Sequence, residues 1–143
     1  MYKINHEIIL KGNAELSNKI FEDKELSNGI NPIFKCNKCE IENSFTIIPF
    51  NTGFSFSDLI EKEFLREPFL LKEKIVSEAF GIYAYSNKYL VDGLPPIYFA
   101  LNCKNCNQPH ICIFGFGERQ QGYFVCSIAG IWEIEEKDLN TPT

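Results

Sequence analysis

Two short stretches constrain this chain more than any other feature: FKCNKC at 34–39 and LNCKNC at 101–106. Each holds a Cys-x-x-Cys turn, and residues 40–102 separate the two. A turn of this spacing puts two sulfurs on one side of a tight loop, where backbone N–H groups can stabilise thiolate charge. Two such turns supply four soft ligands, the number a tetrahedral zinc ion takes. The spacing therefore predicts one structural zinc site built by Cys36, Cys39, Cys103 and Cys106.

The surroundings support a metal over disulfides. MYKINHEIIL lacks the apolar core of a signal peptide, and no run approaches the roughly 18 apolar residues of a membrane span. The expected setting is cytoplasmic, where thiols stay reduced. A redox pair of the thioredoxin type needs its Cys-x-x-Cys to open a helix, whereas strand-like runs follow both pairs here. A catalytic zinc keeps one position open for water; four thiolates close the shell. The zinc deaminase pattern is absent, because Lys35 and Asn102 precede the Cys pairs. His110 has two readings, a replacement for one thiolate or a polar residue opening a strand. Cys112 and Cys126 sit alone in apolar strands. They read as small buried hydrophobes, or as a facing pair if the hairpin register centres on Arg119.

The chain echoes itself at an offset of 67 residues, which lays FKCNKCEIENSFTIIPF over LNCKNCNQPHICIFGFG. Both halves read strand, thiolate turn, polar linker, apolar strand. Over 33–50 and 97–117 this resembles the zinc ribbons, in which each knuckle sits at the tip of a β-hairpin. The resemblance implies zinc and a local fold, and no particular activity. The gap is longer than usual, so the ribbon is split, with 51–96 inserted between its halves.

Along the chain, 2–10 reads as a strand, 13–26 as weakly helical, and SNGINP at 27–32 as a break. Ser55 and Asp58 fit a capping box. Apolar spacing then predicts helices over about 57–67 and 68–85, the second ending either at Gly81 or at about Tyr85, and a loop at 86–96. IYFALN (97–102), HICIFGFG (110–117) and GYFVCSIAGIWEIE (122–135) read as strands, with ERQQ as a loop and a bulge at Gly130. The expected fold is α+β, with a mainly antiparallel sheet, the split zinc ribbon and two central helices, all in one domain over 1–143.

Function is less constrained. No phosphate-binding loop, nucleophile elbow or His-Glu-x-x-His motif occurs. The net charge is −5, and about −7 with four thiolates and one zinc ion. That balance attracts basic partners and repels phosphate backbones. Glu133, Glu135, Glu136 and Asp138 cluster near the end, and Glu22, Asp23 and Glu25 form a second acidic group. The first cluster fits an amphipathic edge strand guarded by charge, or an acidic docking surface. Small size, acidity and the absence of a catalytic constellation resemble bacterial immunity proteins as a class. That resemblance implies a non-enzymatic inhibitor of a basic toxin or enzyme. A second reading is a nucleic-acid-binding ribbon using Lys35, Lys38 and Lys104, with Phe34, Phe45, Tyr98 and Phe99 as stacking faces. A third is an enzyme with an unrecognised site.

Overall fold

A computed structural model describes residues 1–23, 29–48, 50–72, 75–78 and 89–136. In chain order its elements are β1 (Ile8–Asn13), β2 (Glu15–Leu16), β3 (Ile20–Asp23), β4 (Ile33–Lys35), β5 (Glu42–Ser44), β6 (Phe54–Ser55), α1 (Phe56–Glu61), α2 (Glu67–Lys72), β7 (Ser77–Glu78), β8 (Tyr89–Leu90), β9 (Pro96–Asn102), β10 (Pro109–Gln120) and β11 (Tyr123–Glu136). The fold is α+β and mainly antiparallel, as the sequence predicts.

The long apolar runs of the C-terminal third become the centre of a sheet ordered β1-β11-β10-β9-β6, with β3 also paired to β11. Side chains alternate faces along a strand, so each of these strands feeds two cores. Tyr98, Ala100, Ile111, Ile113, Trp132 and Ile134 pack with Phe56, Leu59, Leu65 and Leu70 of the helical region. Phe99, Leu101, Cys112, Phe114, Ile128 and Ile131 pack with Phe34, Phe45 and Ile47 from the β4–β5 region. A sheet covered on both faces reads as nearly continuous hydrophobicity, which is why the central stretches 97–101, 111–117 and 123–132 are almost all apolar. A small sheet, β2-β4-β5, carries the first knuckle.

Several local expectations change. Of the expected helix over 13–26, residues 24–26 lie outside the described residues, and 13–23 are not helical but strand-rich: Leu16 pairs with Phe34, and Phe21 with Cys126. Pairing to neighbouring strands overrides weak helical propensity there. Helix α1 ends at Glu61 and not at 67. Glu63 is left-handed (φ 58), and the Glu63 and Phe64 amides return to the Ile60 and Leu59 carbonyls at 3.1 and 2.9 Å. This Schellman closure turns the chain toward β1, where the Ile8 amide meets the Phe64 carbonyl at 2.8 Å. Ser55 stands at the N-cap but makes no side-chain capping bond; it is held extended in β6, paired with Ile97.

The second helix stops at Lys72. The Ile75 amide folds back to the Leu70 carbonyl at 2.9 Å, and Ser77–Glu78 pairs with Tyr89–Leu90 as a strand. β-branched Ile75 and Val76 are buried there by leaving the helix. The expected helix end at Gly81 lies outside the described residues, as does most of the predicted extension to 85.

The β10–β11 hairpin runs further than expected. Residues 118–120 stay in the ladder, and Gln120 pairs with Tyr123 across a two-residue turn whose Gly122 is left-handed (φ 76). Cys112 therefore faces Ile131, and Cys126 faces Phe116, so the two cysteines are not opposite each other. The register shift skips Ala129, one residue before the expected bulge. β11 is also no edge strand: β10 lies on one side, and β1 and β3 share the other. No helix among the described residues is long and apolar enough to cross a membrane.

Candidate metal centre

The first knuckle joins β4 to β5, and the second joins β9 to β10. Their backbones repeat each other at the offset seen in the sequence. In the first, the Cys36 amide donates to the Ile41 carbonyl (3.0 Å) and the Glu40 amide to the Cys36 carbonyl (2.9 Å). In the second, Cys103 donates to Gln108 (2.9 Å) and Asn107 to Cys103 (2.8 Å). The residue after each second cysteine is left-handed: Glu40 at φ 64 and Asn107 at φ 65. Each first cysteine is buried, and each second one is half-buried.

Packing of the two β-rich layers brings the knuckles together. The Cys36 and Cys106 sulfurs are 3.6 Å apart, and those of Cys39 and Cys103 are 3.5 Å apart. All four sulfurs lie within 4.8 Å of one another, and none is in a disulfide. A zinc–sulfur bond of about 2.3 Å sets the edge of a regular tetrahedron at about 3.8 Å. The donor set fits a tetrahedral ion. His110 is not among the four ligand atoms brought together.

Asn43 is a part of this centre that the spacing of the cysteines did not announce. It is buried on β5, and its side chain crosses from the first half to the second. Its Nδ2 donates to the Ile41 carbonyl (3.2 Å) and to Cys103 Sγ (3.4 Å), while its Oδ1 accepts from the Lys104 amide (2.9 Å). Asn43 sits between Glu42 and Ser44 in a polar stretch, so nothing local marked it; the available signal was its place in the 67-residue echo, opposite His110. Asn105 reaches the opposite way, toward the Cys39 sulfur.

Electrostatics favour a cation. Burial raises the Cys103 thiol, but donors from the Cys106 amide, the Asn43 side chain and the Asn105 amide bring it down to about 6. The Asn105 side chain and the Ile41 amide lower Cys39. At Cys106 the Gln108 amide lowers the thiol, yet burial and the three neighbouring cysteines outweigh it and push it up to about 12. Crowded sulfurs resist the last ionisation unless a positive ion sits among them.

The remaining candidates fall into place around this centre. Burial pushes Cys112 well up and Cys126 to about 12, so both thiols stay protonated at neutral pH. Phe34, Phe45, Tyr98 and Phe99 are buried, which removes them as faces for stacking bases. Lys35, Lys38 and Lys104 are exposed. Glu133 is half-buried and pairs across the ladder with His110. Glu135 meets Lys11 at 3.1 Å, and Glu136 meets His6 at 2.9 Å. Asp138 and Glu25 lie outside the described residues; Glu22 is exposed, and its carboxylate accepts from the Tyr123 hydroxyl at 3.2 Å. No protein-family model, curated protein or solved structure matches this chain.

Proposed function

We propose that this chain is a zinc-stabilised, non-enzymatic binding module that presents acidic surface to a basic protein. The observation that carries the metal half of this reading is the four-sulfur cluster, whose separations suit one tetrahedral ion. Cys36, Cys39, Cys103 and Cys106 would hold the ion. When bound, it supplies no open position for chemistry; it ties strands from distant parts of the chain. Structural zinc contributes about 10–16 kcal/mol of apparent binding free energy, comparable with the stability of a whole domain.

The partner half rests on charge. Beside the first knuckle, an open groove of about 370 Å³ is lined by Glu15, Glu40 and Glu42 around a single Lys35. Glu133, Glu135 and Glu136 add carboxylates at the end of β11. The exposed pairs to Lys11 and His6 are worth about 0–1 kcal/mol each and yield readily to a competing cation. Charge of this sign steers a basic partner and suits an immunity-type inhibitor that covers a basic toxin or enzyme.

The test is a pull-down from the native cell with metal analysis of the same sample. The reading expects zinc and a basic protein, released by moderate salt and lost from a Glu40→Lys, Glu42→Lys, Glu133→Lys, Glu135→Lys variant. An inhibitor further requires that the partner's toxic activity fall on binding. Recovery of no partner, or of one indifferent to these reversals, refutes the acidic-surface reading.

A further inference from the structure

His110 stands 67 residues after Asn43, and the offset relating the two knuckles relates these residues as well. Asn43 is paired with Phe34 across β4–β5; His110 is paired with Leu101 across β9–β10, and Leu101 lies 67 residues after Phe34. Asn43 and His110 are two of the three buried polar side chains among the described residues. In the first half the Ile41 carbonyl accepts two donors, the Cys36 amide and the Asn43 side chain, at 3.0 and 3.2 Å. In the second half the Gln108 carbonyl accepts the Cys103 amide at 2.9 Å and lies 2.9 Å from His110 Nδ1. A carbonyl only accepts, so the Nδ1 nitrogen carries the proton.

Each knuckle is thus closed by one carbonyl gripped from two sides. The first grip comes from its own leading cysteine, the second from a buried side chain two residues beyond the carbonyl. The His110 ring is held by Phe34, with centroids 4.9 Å apart, so the grip of the second half is steadied by the strand leading into the first. We propose that His110 is a positioning residue for the metal centre, the second-half counterpart of Asn43. It fixes the Gln108 turn and so aims Cys103 and Cys106 at the ion, without touching the ion itself. This rests on the metal-site reading above. Groups that orient ligands from behind typically change metal affinity by about 10–100-fold when lost.

The test uses cobalt(II) as the probe, titrated into the full chain and into His110→Leu and His110→Asn variants, with competition by a chelator. Leucine fills space but cannot donate; asparagine restores a donor of the kind used at position 43. The wild type should give the thiolate charge-transfer and d–d bands of a four-sulfur tetrahedral site. His110→Leu should bind cobalt 10–100-fold more weakly and release it faster, and His110→Asn should recover most of the loss. Melting of each cobalt-saturated variant separates folding from ligand positioning. If His110→Leu holds cobalt like the wild type, or if asparagine restores melting but not affinity, the positioning role is wrong. If the wild type itself shows no cobalt–thiolate bands, the metal site fails and the inference fails with it.

Discussion

Replacing Asn43 with alanine should damage the metal centre more than any other substitution outside the four cysteines. The side chain makes three hydrogen bonds, and two of them cross from the first knuckle to the second. Its loss leaves the part-buried Lys104 amide without the Oδ1 acceptor, at a cost of about 1 kcal/mol, since water can take the place of the lost partner. It also removes the N–H donated to Cys103 Sγ, and a hydrogen bond to a charged group is worth about 1.5–3 kcal/mol. The Ile41 carbonyl keeps the Cys36 amide, so that part costs little. The thiolate bond matters chiefly with metal bound. It alone predicts about a 10–100-fold loss of zinc affinity, since 1.4 kcal/mol is a factor of ten. The amide term should appear as lower stability in urea with zinc saturating. Asn43→Asp should be worse for metal, because it sets a carboxylate against a thiolate. The assay is chelator competition for zinc alongside urea unfolding. Zinc affinity unchanged within twofold in Asn43→Ala would refute the argument that this side chain couples the two halves.

Other consequences follow from particular contacts. A Cβ on Gly115 would lie 2.7 Å from the Val91 carbonyl oxygen and 2.8 Å from Leu94 Cβ, so Gly115→Ala should cost about 1–3 kcal/mol in urea unfolding without altering zinc stoichiometry. Cys112→Ala should cost stability, about 1 kcal/mol, and retain one zinc, whereas Cys36→Ser or Cys103→Ser should lose it. Burial holds His110 below its ordinary value of 6.5, partly offset by the Gln108 carbonyl and Glu133. Its neutral form is favoured by folding, so its contribution is full above pH 6.5 and is lost as pH falls below it. His110→Asn should therefore unfold with a shallower pH dependence between pH 7 and 5 than the wild type. An identical slope would show that the ring does not titrate with folding.

The four-cysteine cluster and the strands around it were legible because their signals are local. Cys-x-x-Cys spacing, and apolar runs ended by Asn, Gln and Pro, need no knowledge of the rest of the chain. The 67-residue echo went further than its cysteines, since it already laid Asn43 over His110. What hid their role was that a hydrogen bond across the two halves depends on packing between layers. Residues 13–23 were misread because Leu16 and Phe21 acquire strand geometry only from β4 and β11. The helix over 68–85 was overextended because Leu70, Ile75 and Val76 fit a helical period and equally fit a chain that turns back into the core. The hairpin register was misplaced because Gln121 and Gly122 alone make the turn, while residues 118–120 of the ERQQ segment stay in the ladder. Glu133 to Glu136 looked like an edge because β1 reaches that part of β11 from the far end of the sequence.

The most direct test of the account is the metal content of the chain purified under reducing conditions without added metal. One zinc ion per chain is expected, released on titration of four thiols, with loss of cooperative unfolding once a chelator has removed it. A metal-free chain that melts the same with and without chelator, its four thiols freely reactive, would contradict the claim that these sulfurs hold one structural ion.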